Sequence, residues 1–218
     1  MKSEVLFNIY QRLLERYGPQ HWWPGDSPFE VMVGTILTQS SAWHNVEKAI
    51  ANLKSASVMS PSALRRLPIN ELARLIQPSG YYNTKALKLK ALVNWLGESY
   101  QDGSDKLFAL DTNLLRQQLL KVYGIGPETA DSILLYAANK PIFVIDAYTR
   151  RIISRLGLAA EKDDYDVYQT LFMDALPRDA ELFNEYHALL VCAGKEACRK
   201  QPLCERCCLF EVCRSNQK

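Results

Sequence analysis

Apolar residues recur along this chain at helical spacing almost throughout. Phe29, Met32, Val33, Ile36 and Leu37 fall at i, i+3, i+4, i+7 and i+8, which lines one face of a helix. Ser27 precedes them as a side-chain cap, Pro28 suits the first helical position, and Glu30 completes a capping box. Ser60-Pro61 opens another helix by the same chemistry. Leu64, Leu67, Leu72, Leu75 and Ile76 predict short helices around Pro68, and Lys85–Leu96 is a further amphipathic segment. Asp111 caps a helix carrying Leu115, Leu119 and Val122, and Ala130, Ile133, Leu134 and Ala137 mark the next. Ala147–Leu156, Val167–Ala175 and Ala180–Cys192 supply three more. Alternation at period two, the mark of a strand, is confined to the short stretch Ile142–Ile145. The pattern predicts an all-α fold of about ten helices, with no internal repeat.

Between two of these helices lies Tyr123-Gly124-Ile125-Gly126-Pro127-Glu128-Thr129-Ala130. Gly124 and Gly126 let the backbone turn sharply and approach a partner without Cβ interference. Pro127 then opens a helix whose first N–H groups are free for an anion such as a phosphate. A plain helix-helix turn is the alternative.

Composition narrows the class. The 218 residues are 48% hydrophobic and 23% charged, with 10 Gly and 10 Pro, which excludes disordered and collagen-like chains. No apolar run reaches the roughly 18 residues that span a bilayer, and the N-terminus lacks the apolar stretch of a signal peptide. A cytoplasmic protein without a membrane partner is expected. The net charge of +2 does not by itself announce a nucleic-acid partner, although residues 198–218 hold five Lys/Arg against two Asp/Glu.

The cysteines add a metal. Five of the six fall within 16 residues, as Cys198, Cys204, Cys207, Cys208 and Cys213, with Cys192 just upstream. Clustering at one end of a large chain reads as a metal site rather than a disulfide scaffold. Taken alone, the spacing Cys198-x5-Cys204-x2-Cys207-x5-Cys213 serves a four-thiolate zinc site as well as an iron–sulfur cluster.

Several motifs together resemble one family. Leu119–Asp131 resembles the helix-hairpin-helix of endonuclease III-like DNA glycosylases. Phe143-Val144-Ile145-Asp146-Ala147-Tyr148-Thr149-Arg150-Arg151 resembles that superfamily's Gly/Pro-rich loop and catalytic aspartate. Gly80-Tyr81-Tyr82-Asn83-Thr84-Lys85-Ala86 is similar to its G-x-Y-N-x-K-A loop, Pro28–Gln39 to its first barrel helix, and the terminal cysteines to its iron–sulfur loop. The first cysteine gap is one residue shorter than the family pattern. The resemblance implies two lobes, with residues 27–137 forming a six-helix barrel that carries the hairpin. Residues 1–26 and 138–218 form the other lobe and hold a [4Fe–4S] cluster on Cys198, Cys204, Cys207 and Cys213. Damaged double-stranded DNA is the implied partner of a monomer, lying across the cleft between the lobes.

The resemblance also assigns roles. Asp146, a good helix cap in its own right, stabilises positive charge on the deoxyribose or activates water. Relatives that also nick the strand carry Lys immediately before the hairpin's Thr-Ala; this chain has Glu128 there, and a carboxylate forms no imine. A monofunctional, water-dependent glycosylase follows. Trp22, Trp23 and Trp43, with Glu128, resemble the base pocket of the 3-methyladenine glycosylase branch. A cationic alkylpurine stacks well on indole rings and is already a good leaving group. Extruding a base leaves a hole in the duplex; Gln39 stands at the family's hole-filling position and Tyr81 at its wedge. Lys85, Arg150, Arg151, Gly124, Gly126 and Thr129 are expected to contact DNA. Two other readings remain open at this point: a bifunctional glycosylase/lyase acting on oxidised pyrimidines or abasic sites, and a non-catalytic helix-hairpin-helix DNA-binding module.

Overall fold

The computed structural model of the protein describes residues 2–22 and 25–216. In chain order the helices are α1 (Lys2–Tyr17), α2 (Pro28–Leu37), α3 (Trp43–Ser55), α4 (Pro61–Arg66), α5 (Ile69–Leu75) and α6 (Tyr82–Tyr100). Then follow α7 (Ser104–Phe108), α8 (Thr112–Leu119), α9 (Pro127–Ser132), α10 (Ala147–Arg155), α11 (Tyr165–Ala175) and α12 (Ala180–Glu196). No strand occurs among the described residues. The chain divides into two compact units, one of Met1–Trp23 with Lys140–Lys218, the other of Pro24–Asn139.

The second unit is built around α2. Val31, Met32, Val33, Ile36 and Leu37 are all buried, so this helix is covered on every side, as an apolar all-round helix must be. Ser27 Oγ accepts from the Glu30 amide at 3.2 Å, as the sequence predicts. The reciprocal half of the capping box is replaced: the Glu30 carboxylate pairs with Lys54 on α3 at 2.8 Å. Ser60 Oγ caps α4 through the Ala63 amide, and Asp111 Oδ1 caps α8 through Asn113 and Leu114. After α9 the chain makes one π turn over Ile133–Ala137, closed by the Ala138 amide on Ile133 O at 3.1 Å.

The first unit packs α1, α10, α11 and α12. Phe143 stacks on Phe172 with centroids 3.8 Å apart, and Phe183 and Tyr186 meet Phe143 edge-on. The Tyr186 hydroxyl donates to Leu6 O at 2.8 Å, which satisfies its one polar atom. Ile142–Ile145 is buried and extended but pairs with no strand. Side chains of α11 meet its backbone instead: Gln169 Nε2 donates to Phe143 O at 2.7 Å, and Tyr165 OH accepts from the Ile145 amide at 3.2 Å. This buried, fixed segment delivers Asp146 to the start of α10.

Candidate functional site

Asp146 is the N-cap of α10. Its Oδ1 accepts from the Thr149 amide at 2.7 Å, which orients the carboxylate and satisfies one free helix N–H. Its Oδ2 lies 3.7 Å from His187 Nε2 on α12. His187 is buried, and the Trp22 ring stacks over it at 6.0 Å between centroids and 24° between planes. Burial pushes the His187 imidazole below its ordinary value while the Asp146 charge pulls it upward. Lys195 Nζ lies 5.8 Å from the Trp22 ring centroid. Thus Asp146, His187 and Trp22 form one group within the first unit. Trp23 lies outside the described residues.

The second unit gathers the hairpin. Gly124 has φ +82°, and a Cβ there would stand 2.2 Å from Lys88 Cγ, so both the turn and the contact require glycine. Gly126 has nothing within 4 Å of its missing Cβ, which leaves open space at the start of α9. Arg116 grips the fully buried Asp131 with two hydrogen bonds, at 2.6 and 3.1 Å, and so ties α8 to α9. Gln39 Nε2 donates to Gly124 O at 3.1 Å and to Thr129 Oγ1 at 2.9 Å, and Lys88 Nζ donates to Gln39 Oε1. Gln39, Gly124 and Thr129 are therefore one network. Glu128 is exposed on the first turn of α9. Trp43 is half-buried at the start of α3. Tyr81 is 73% exposed and holds a left-handed backbone, φ 46°, after Gly80 at φ 68°. A non-glycine residue held there is strained, and its ring stands in solvent.

Three basic residues expected at phosphates have other occupations. Lys85 is 2% exposed, and its ammonium donates to Leu37 O at 2.7 Å and Ser79 O at 2.6 Å. It closes the end of α2 onto the Gly80 loop instead of reaching solvent. Burial, then the nearby Lys88 charge, brings its amine down to about 8. Lys85→Met should therefore lower stability by about 1–3 kcal/mol through the orphaned carbonyls. It should leave the salt dependence of DNA binding unchanged, whereas loss of a phosphate contact lowers that slope by about 1. Thermal unfolding and a salt titration of binding check both halves. Arg150 lies 4.7 Å from the Tyr168 ring centroid and donates to Asp163 O. Arg151 lies over Tyr148 and donates to Cys198 O at 2.7 Å and Gly194 O at 3.0 Å. Both arginines brace the first unit.

The C-terminal cysteines follow α12 on short 3₁₀ turns at Cys204–Arg206, Phe210–Val212 and Arg214–Asn216. All six cysteines of the chain are free and partly covered. Burial pushes the Cys207 thiol up, and Cys198, Cys213 and Cys204 push it further. Burial, then Cys207, raises the Cys208 thiol to about 11, while Arg16 and Arg12 of α1 pull it down. Arg155 holds the loop to α10, donating to Cys198 Sγ at 3.3 Å, Arg199 O at 2.6 Å and Lys200 O at 3.0 Å. Among the described residues no three His, Cys, Asp or Glu side chains converge on one metal ion. Four free thiols are a donor set that fits a thiolate-held metal group, and Arg155 places a cation against one of the sulfurs.

His187, Lys88, Arg155 and the Arg116–Asp131 pair escape a reading by motif. The one available signal was His187 itself. It falls on the buried stripe Phe183, Tyr186, His187, Leu190 of α12, where an apolar residue is the default.

Comparisons with known proteins place the chain. The family model of HhH-GPD superfamily base excision DNA repair proteins matches residues 33–178. The chain belongs to this superfamily: it is a base excision repair DNA glycosylase of the endonuclease III-like kind. It is 45% identical over 215 residues to "Putative DNA repair glycosylase MJ1434" of Methanocaldococcus jannaschii, covering 98% of each chain. A trapped endonuclease III–DNA covalent intermediate matches with a TM-score of 0.85 at 22% identity, over 99% of this chain and 97% of that one. The 3-methyladenine DNA glycosylase MagIII of H. pylori, bound to 1,N6-ethenoadenine, matches with a TM-score of 0.76 at 28% identity, over 89% and 97%.

Proposed function

We propose that this protein is a monofunctional glycosylase that removes alkylated purines, such as 3-methyladenine, from double-stranded DNA. The observation that carries the reading is the largely covered Asp146 carboxylate, fixed by a helix N–H and grouped with His187 and an indole ring. Breaking an N-glycosidic bond builds positive charge on the sugar, and a preoriented carboxylate stabilises that charge as it forms. Asp146 then orients or deprotonates the attacking water. An alkylated purine is already cationic in the nucleoside and takes the bond's electron pair to leave as a neutral base, so the site needs no strong general acid. Trp22 and Trp43 offer the aromatic faces that such a cation stacks on, and Trp23 is assigned with them by resemblance. Glu128 stands where a lyase would present an amine, so no imine forms and the product is an intact abasic site. The likeness to MagIII supports the substrate class.

Cys198, Cys204, Cys207 and Cys213 would hold a [4Fe–4S] cluster, which when bound fixes the C-terminal loop by four metal–sulfur bonds. Tyr81 and Gln39 are assigned to the opposite strand and the vacated space, with Gly124, Gly126 and Thr129 facing phosphates. Gln39 must first leave its bonds to Gly124 and Thr129. We assign a monomer. No helix among the described residues is long and apolar enough to cross a membrane, and we assign the protein to the cytoplasm with its DNA.

The test is a panel of duplexes carrying alkylated purines, oxidised pyrimidines or abasic sites, assayed with and without alkali. Release of alkylated purine with strand breaks only after alkali is expected. Excision of oxidised pyrimidines with spontaneous nicking would overturn the reading. Trp43→Ala should reduce excision of a cationic alkylpurine about tenfold to a hundredfold, the worth of one base–aromatic stack, with undamaged-DNA affinity nearly unchanged. Equal loss on both substrates would make the ring a folding element.

A further inference from the structure

His187 is an imidazole in a place that packing alone assigns to an apolar side chain. It is buried on α12 between Tyr186 and Ala188, both also buried. What distinguishes its position is the pair of groups it meets. Its Nε2 stands 3.7 Å from Asp146 Oδ2, and the Trp22 ring lies nearly parallel to its own. Asp146 Oδ1 is already fixed by the Thr149 amide.

We propose that His187 is the positioning residue of Asp146, with Nε2–H donated to Oδ2 and Trp22 held against the imidazole. The inference rests on the glycosylase reading of Asp146. One hydrogen bond fixes the position of a carboxylate but leaves it free to rotate; a second bond, on the other oxygen, fixes its plane. Charge on the sugar develops at one point, so a carboxylate already in plane has no reorganisation left to undergo. The 3.7 Å separation exceeds a hydrogen bond, and such contacts tighten when the substrate complex forms. Burial favours the neutral imidazole, which donates one proton and leaves the full negative charge on Asp146. A protonated imidazole would cancel that charge. A neutral His187 also matches a leaving group that brings its own positive charge and needs no proton. Through Trp22 the same imidazole places a stacking face and the carboxylate in one rigid group.

Two measurements decide the matter. The protein has three histidines, His21, His44 and His187, so long-range 1H–15N spectra of histidine-labelled protein are readily assigned. His187 should be neutral with its proton on Nε2, and Asp146→Asn should shift that nitrogen. A proton on Nδ1, or a signal indifferent to Asp146→Asn, overturns the inference whatever the enzyme's substrate. In single-turnover excision, His187→Phe keeps an aromatic ring under Trp22 and removes the donor. Its rate should fall about ten- to a hundredfold, the range of a hydrogen bond to a charged group. DNA affinity and the thermal midpoint should stay near wild type. His187→Gln, which restores a donor near the Nε2 position, should recover most of the rate. A His187→Phe protein with wild-type rate, beside an inactive Asp146→Asn protein, overturns the inference alone. A wild-type protein that removes no alkylated purine overturns the substrate reading, and the histidine spectrum still decides the pair.

Discussion

Asp146→Asn is expected to fold, to bind damaged DNA, and to lose about 10²–10³ in single-turnover excision, the cost of one preorganised electrostatic stabiliser. The folding half follows from the cap. Oδ1 accepts from the Thr149 amide, and an asparagine carbonyl makes the same bond, since Asn and Asp are comparable N-caps. Asp146 O accepts from Arg150 N at 3.0 Å whatever the side chain. What changes is the charge that the proposed role of Asp146 requires. If excision is unchanged while the thermal midpoint is also unchanged, Asp146 is a helix cap and nothing more. The companion measurement is borohydride trapping. No covalent protein–DNA adduct should form, because the position before Thr129 carries Glu128 in place of an amine. Efficient trapping would show another lysine acting as nucleophile. Lys85 is a poor candidate, being buried with its ammonium between two carbonyls.

The helical fold class was legible because the information is local. Ser27, Ser60 and Asp111 cap where their spacing to the apolar stripe says they should. Helix α1 escaped because its buried stripe is only Leu6, Ile9 and Leu13, and α3 because Ala42 offers it no side-chain cap. Ile142–Ile145 shows the limit of periodicity. The short alternation describes an extended segment, but its backbone partners sit on α11, 20 and 26 residues away in sequence, so no strand forms. The partners of the basic residues are hidden from the sequence for a related reason. Lys85, Arg150 and Arg151 look like surface charge in sequence, yet their partners are backbone carbonyls and aromatic rings that only the folded chain brings near. The Asp146 group divides along the same line. Asp146 was legible as a cap before an apolar-flanked helix, whereas His187, 41 positions later, becomes visible only once α12 packs on α10.

The second large effect concerns the thiolate loop. Cys204→Ser should abolish the [4Fe–4S] cluster, whereas Cys208→Ser should retain it. The two positions are close in sequence and both partly covered, so simple loss of a buried thiol predicts similar outcomes. Their places in the motif differ. Cys204 is one of the four cysteines that the resemblance assigns to the cluster, and Cys208 is not. Cys208 bears on Tyr17 of α1, whose hydroxyl is pushed up to about 12 by burial and then by Cys208. Serine at 208 keeps a small polar side chain there and removes none of the four assigned ligands. Serine at 204 would remove one of the four bonds that the proposed cluster makes to a loop otherwise tied by Arg155, Arg151 and short 3₁₀ turns. Because the metal–sulfur bonds form only in the folded state, their loss counts directly against stability. Anaerobically purified wild-type and Cys208→Ser proteins should be brown, absorb broadly near about 400 nm as this cofactor class does, and contain iron and sulfide. Cys204→Ser should be colourless and should unfold at a markedly lower temperature. A colourless, folded wild type carrying a single zinc ion would replace the cluster with a four-thiolate zinc site. Equal loss of iron in both variants would bring Cys208 into the ligand set.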